Sequence, residues 1–114
     1  MDETNNRLEL ACFVKGLILR SRGDIQGSLD QFRMVASLDP MSLDCLKQLG
    51  RSLFLTGKHK KAIETYERAL SVSPEDWEVW HNKGLCHLNR GELDESNESF
   101  RSANLIQKHD ATFL

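Results

Sequence analysis

Two glycine ladders constrain this chain more than any other feature. Gly16, Gly50 and Gly84 stand 34 residues apart, and Gly23, Gly57 and Gly91 repeat the same step. Six of the seven glycines fall on these ladders and only Gly27 stands outside. Pro40 and Pro74 keep the step, and so do side chains of quite different chemistry. Phe32, Tyr66 and Phe100 form one series, and Cys12, Leu46 and Trp80 a second. Leu38, Val72 and Ile106, then Ser28, Ala62 and Ser96, and Val35, Ala69 and Ala103 add three more. Self-similarity at such a period marks a repeat architecture, in which each unit buries its apolar face on its neighbours.

The ladders also say what one period contains. A glycine inside a helix costs about 1 kcal/mol relative to alanine. Gly16, Gly50 and Gly84 in register therefore imply a close helix crossing, with Ser28, Ala62 and Ser96 as the small residues of the second helix. Gly23, Gly57 and Gly91 suit the left-handed position that ends a first helix. Pro40 and Pro74 stop a second helix and begin the next unit. The spacing predicts helices over 8–21, 26–38, 44–56, 60–72, 78–90 and 94–107.

A helix-turn-helix period of this length resembles the tetratricopeptide repeat, of pattern W-x2-L-G-x2-Y…A-x3-F…P. The second unit carries the likeness best, as Leu46-x2-Leu49-Gly50-x2-Leu53 followed by Gly57, Ala62, Tyr66, Ala69 and Pro74. The resemblance implies an all-α, right-handed α-solenoid of three repeats with six antiparallel helices. The repeats would span 9–42, 43–76 and 77–110, after an N-terminal extension or leader at 1–8. Residues 111–114 would open a truncated fourth repeat, so the chain reads as a cut through a longer array. Lys15 and Lys83 replace the usual leucine, His87 takes the aromatic place, and Lys108 replaces a third proline.

Composition excludes several functions. The 114 residues are 39% hydrophobic and 28% charged, too apolar for a disordered tail and too polar for a membrane protein. A net charge of -2 without a basic stripe argues against nucleic-acid binding. No apolar run is long enough for membrane insertion. Met1–Asn6 lacks the basic start and apolar run of a signal peptide. Three cysteines without close pairing suit a reducing compartment, so a cytoplasmic location is expected.

No catalytic motif is present, and neither a cofactor nor a metal site is expected. Cys12, Cys45 and Cys86 lack zinc-ligand spacing and read as buried thiols on the first helix of each repeat. His81 and His87 lie six residues apart, roughly 240° around a helix, and point away from each other. Asp24 and Asp94 follow turn glycines, where acidic residues cap helices. Asn97-Glu98-Ser99 is a glycosylation sequon that falls within a predicted helix. The basic run Lys58-His59-Lys60-Lys61 should lie beside Glu92, Asp94, Glu95 and Glu98 of the next turn. It reads as a solvated edge or, alternatively, as a polar docking edge.

The first helix of each repeat would line a concave groove. Its candidate partner-binding residues are Phe13, Leu17 and Arg20; Lys47, Arg51, Phe54 and Leu55; and His81, Leu85, Leu88 and Asn89. Chaperone-binding members of the fold clamp a terminal carboxylate with lysine, arginine and asparagine. Here those places hold Phe13, Leu17, Gln48, Glu78 and Asn82, so an acidic chaperone tail is not expected. An apolar strip with a few basic groups suits a partner helix or extended segment. Some of Phe13, Phe54, Leu55 and Leu88 could instead simply face neighbouring repeats.

A closer likeness rests on three stretches: Gly16-Leu17-Ile18-Leu19-Arg20, Arg51-Ser52-Leu53-Phe54-Leu55-x-Gly57-Lys58-His59-Lys60, and Asp76-Trp77-Glu78-Val79-Trp80-His81-Asn82. Over about residues 10–110 the chain resembles a family of BBSome subunits, the fourth Bardet–Biedl syndrome family. That resemblance implies a non-catalytic scaffold in ciliary membrane-protein trafficking, placed at cilium, basal body and centriolar satellites. Its partners would be other BBSome subunits and centriolar satellite proteins. The alternative is a general adaptor that binds a partner peptide or helix in its groove, unrelated to cilia. Uncapped solenoid ends would also favour self-association of the fragment.

Overall fold

The computed structural model describes residues 3–112, with side chains described over 3–110. Among the described residues six helices follow in order: α1 (Glu3–Ser21), α2 (Ile25–Leu38), α3 (Leu43–Leu55), α4 (His59–Val72), α5 (Trp77–Asn89) and α6 (Leu93–Thr112). Each packs on its neighbours in sequence, so three hairpins stack in a row, and α3 also touches α5. The Cα radius of gyration is 14.9 Å, against about 13 Å for a compact chain of this length. None of these helices is long and apolar enough to cross a membrane.

The three turns within hairpins are built alike. Gly23, Gly57 and Gly91 have φ of 89°, 79° and 74°. At each, the glycine N–H donates three residues back, to Arg20, Phe54 or Leu88 at 3.0 Å. The next N–H donates five residues back, to Leu19, Leu53 or His87 at 2.9 Å. This paired pattern satisfies the last carbonyls of a helix, and it requires the left-handed residue. Between hairpins the caps also keep the period. Ser42 accepts from the Cys45 N–H at 3.3 Å and Asp76 from the Val79 N–H at 3.1 Å, starting α3 and α5.

Asp24 caps α2 as expected, accepting from the Gly27 N–H at 2.8 Å. Asp94 does not cap α6. The helix begins one residue earlier, at Leu93, so Asp94 sits in the first turn near the positive end of the helix dipole. Two ends also differ from the sequence reading. Residues 3–7 belong to α1, which starts earlier than residue 8, with Arg7 and Glu3 paired one turn apart at 2.7 Å. α6 runs past residue 107 to Thr112, so residues 111 and 112 are helical. Residues 1–2 and 113–114 lie outside the described residues.

The core explains the inner glycine ladder. Phe32 and Tyr66 are fully buried on the second helices. A Cβ added at Gly16 would lie 2.8 Å from the Phe32 ring, at Gly50 2.5 Å from Tyr66, and at Gly84 2.7 Å from Phe100. The glycines therefore receive the flat rings of the aromatic ladder, not chiefly the small residues of the second helix. Those small residues are buried too: Ser96 donates to the Gly84 carbonyl at 3.0 Å, and Ser28 meets the Ser52 hydroxyl at 3.0 Å.

The concave groove as candidate site

The first helices α1, α3 and α5 share one face, and its central feature is a cavity of about 340 Å³. Arg51, Phe54 and Leu55 of α3, Glu78, Asn82 and Leu85 of α5, and Tyr66 of α4 line it. Four of the residues expected to bind a partner thus meet here. Phe54 also packs on the core and against the His59 ring, at 5.0 Å between centroids. Leu55 is 49% exposed and Leu88 47%, so neither is spent on packing between repeats.

The other candidates are placed differently. Phe13 meets Phe32 edge-on at 5.7 Å, and Phe13 and Leu17 both pack against the core. Phe13 also borders a separate depression of about 360 Å³ with Leu10 and Asp44. His81 meets Phe100 with the rings tilted by 52° and centroids 5.3 Å apart. Asn89 is exposed and donates to the Leu85 carbonyl at 2.9 Å.

Two groove cations serve the fold. Arg20 of α1 reaches α3, donating to the Gln48 carbonyl and the Ser52 hydroxyl, each at 3.2 Å, and to the Gln48 side chain. It also lies 5.5 Å from the Phe32 ring centroid. Burial lowers its pKa, and the Arg51 charge adds to this. Lys47 of α3 pairs with Asp76 at 3.0 Å and Glu78 at 3.6 Å, at the start of α5. Burial disfavours the Lys47 ammonium, but Asp76 and Glu78 together outweigh it and raise the pKa. These bridges join neighbouring repeats and hold the groove's shape.

The cavity also takes Tyr66, Glu78 and Asn82, which the period alone does not put among the groove residues. Tyr66 comes from a second helix, outside the first-helix face. Its signal was being the one phenol in an otherwise phenylalanine ladder. Burial pushes the Tyr66 phenol up, which keeps it neutral. Glu78 and Asn82 were noted only as departures from the carboxylate clamp.

The suspected chemistry elsewhere is absorbed by structure. Cys12, Cys45 and Cys86 are free and buried. Burial pushes the Cys45 thiol up to about 12 and the Cys86 thiol up to about 11, from an ordinary 9.0. Cys45 also donates to the Phe32 carbonyl at 3.3 Å. An unfolded thiol ionises first, so the unfolded state binds fewer protons above about pH 9 and stability falls as pH rises. Denaturation midpoints at pH 8 and 10 should show this fall, and a Cys45→Ala variant should lose part of it. An equal slope in that variant would contradict the assignment.

His87 lies 2.9 Å from Glu92, and Arg90 donates to the same carboxylate at 3.1 Å. The His87 hydrogen bond, with Arg90 beside it, holds the Glu92 carboxyl below its usual range. Glu92 is thus engaged within its own turn. Among the described residues no ion pair joins Lys58, Lys60 or Lys61 to this acidic turn. The sequon is helical and its Ser99 is buried.

A larger depression, about 730 Å³, runs along α6 past Asn97, Phe100 and Leu105. It is the open side of the last hairpin. Its ladder positions turn polar, with Asn97 in step with buried Leu29 and Ile63.

Comparison with known proteins matches this architecture. The tetratricopeptide repeat family model matches residues 47–104. BBSome complex member BBS4 of Bos taurus is 42% identical over 114 residues, covering 100% of this chain and 22% of that protein. The Xenopus tropicalis protein of the same name is 44% identical, with the same coverage of both chains. The Drosophila melanogaster homolog is 32% identical over 85 residues, covering 72% of this chain and 18% of its own length. The chain therefore spans about a fifth of these curated relatives. Among solved structures, MamA superposes with a TM-score of 0.87 at 25% identity, over 91% of this chain and 61% of that one. A chain of the CopN–Scc3 complex shares the fold alone, with a TM-score of 0.84 at 18% identity, over 89% and 59% of the two chains. The 34-residue ladders, the stacked hairpins and the family match leave one conclusion: the chain belongs to the tetratricopeptide repeat family.

Proposed function

We propose that this chain is a non-catalytic scaffold whose concave groove captures a segment of a partner protein. The observation that carries this reading is the cavity between α3 and α5, walled by Phe54, Leu55 and Leu85, which the fold leaves open. The raised pKa values of Cys45 and Cys86 speak against either as an activated nucleophile. The likeness to BBSome complex members over all 114 residues supports a role within a BBSome-type subunit. On this reading the partners are other BBSome subunits and centriolar satellite proteins. The setting is ciliary membrane-protein trafficking, at the cilium, basal body and satellites, from a cytoplasmic pool.

The test is capture of purified BBSome subunits by the wild-type chain, by Leu55→Glu on the cavity wall and by Leu88→Glu on the exposed face of α5. Both variants should keep their helical circular dichroism and lose at least about tenfold in capture, since a buried charge in an apolar contact is costly. Folded variants that capture every subunit as well as wild type would overturn the groove reading.

A further inference from the structure

We infer that the concave cavity selects a segment in which one acidic side chain adjoins a large apolar one, with the acid on Arg51 and the apolar group between Phe54, Leu55 and Leu85. This rests on the groove reading above and specifies its ligand.

The selection comes from how charge is distributed. Arg20, Lys47, Arg51 and Glu78 frame this stretch of groove. Arg20 is bound to Gln48 and Ser52, and Lys47 is bound to Asp76 and Glu78. Arg51 is exposed on the cavity wall and, among the described residues, has neither a hydrogen bond nor an ion pair. A free guanidinium offers five N–H donors in a planar fork that fits a carboxylate. Apolar walls stand beside that contact, so an apolar side chain seated on them would cover it from water and strengthen it. The Arg20 charge lies close enough to reinforce the field at Arg51.

Glu78 sharpens the preference. It lines the same cavity and carries a negative charge that Lys47 shares with Asp76. A run of acids would place like charges against Glu78, so a single acid is favoured over an acidic tail. Because Arg51 is one cation and no terminal-carboxylate clamp surrounds it, an internal aspartate or glutamate suffices.

The experiment is a titration of the isotopically labelled chain, followed by amide chemical shifts. The probes are acetylated, amidated hexapeptides carrying Glu-Leu at the centre, with Gln-Leu, Glu-Ser, Lys-Leu and four-glutamate versions beside it. The Glu-Leu peptide should bind at least about fivefold tighter than any other, with shifts at residues around Leu85, and high salt should erase the advantage. Arg51→Gln should lose the preference for Glu over Gln. Arg51→Glu should transfer it to the Lys-Leu peptide, a reversal that loss of structure cannot produce. Equal binding of Glu-Leu and Gln-Leu, no binding by any peptide, or an unchanged preference in Arg51→Glu would overturn the proposal. In each case the subunit capture by Leu55→Glu reports separately on the groove itself.

Discussion

Gly50→Leu should lower the melting temperature by roughly 10 °C or more, the largest effect expected from any exchange of a glycine here. A Cβ at Gly50 would lie 2.5, 2.7 and 2.9 Å from three atoms of the Tyr66 ring. Tyr66 is 1% exposed and packed in the core, so displacing the ring disturbs its neighbours. Overpacking a core by a methylene or two costs about 1–3 kcal/mol, and leucine adds three carbons beyond the Cβ. Its better helix propensity returns only about 1 kcal/mol. Gly57→Leu is the contrast. Nothing lies within 4 Å of its would-be Cβ, so only its φ of 79° resists the change, at about 1–2 kcal/mol. Thermal circular dichroism of both variants checks the ranking. An unshifted midpoint for Gly50→Leu would mean that α3 and α4 do not cross here.

Phe32→Ala should cost about 3–5 kcal/mol. The ring is fully buried and closes against the flank of Gly16, the edge of Phe13 and the guanidinium of Arg20. Removing it opens a cavity at the junction of the first two repeats and withdraws the surface on which Arg20 rests. Phe100→Ala removes the same ring one ladder step from Tyr66 but should cost less. Phe100 is only partly buried and borders the open depression along α6. Chemical denaturation of the two variants separates the readings. Equal losses would show that position on the ladder, and not burial, decides the cost.

Much of this fold is legible in the sequence. The helix starts were right within a residue for α2 to α6, because Gly23, Gly57, Gly91, Pro40 and Pro74 act through local backbone geometry. The two outer ends were not. Nothing local stops α1 at residue 8 or α6 at residue 107, since no glycine or proline stands there, and both helices run on. The Asp94 cap failed for a related reason: a one-residue shift of the helix start changes a capping carboxylate into a first-turn charge.

The groove was legible in outline only. The period placed Arg51, Phe54, Leu55 and Leu85 on one face, and they do line one cavity. It also placed Arg20 and Lys47 there, but could not tell that each reaches the next repeat and is consumed by it. Nor could it bring Tyr66 from α4 to the cavity wall, because reading one helix at a time assigns a second-helix aromatic to the core.

The sequence by itself determined the number of repeats and the order of helices. Those follow from hydrogen-bond geometry within a turn and from periodicity, which act over short stretches of chain. Only the tertiary structure decided which charges are free. Arg20, Lys47 and Arg51 have similar neighbours in sequence, yet only Arg51 stays uncommitted. That difference depends on the offset between helices 28 or 29 residues apart, as in Arg20 to Gln48 and Lys47 to Asp76. Only the stacked repeats set which side chain comes within hydrogen-bonding reach.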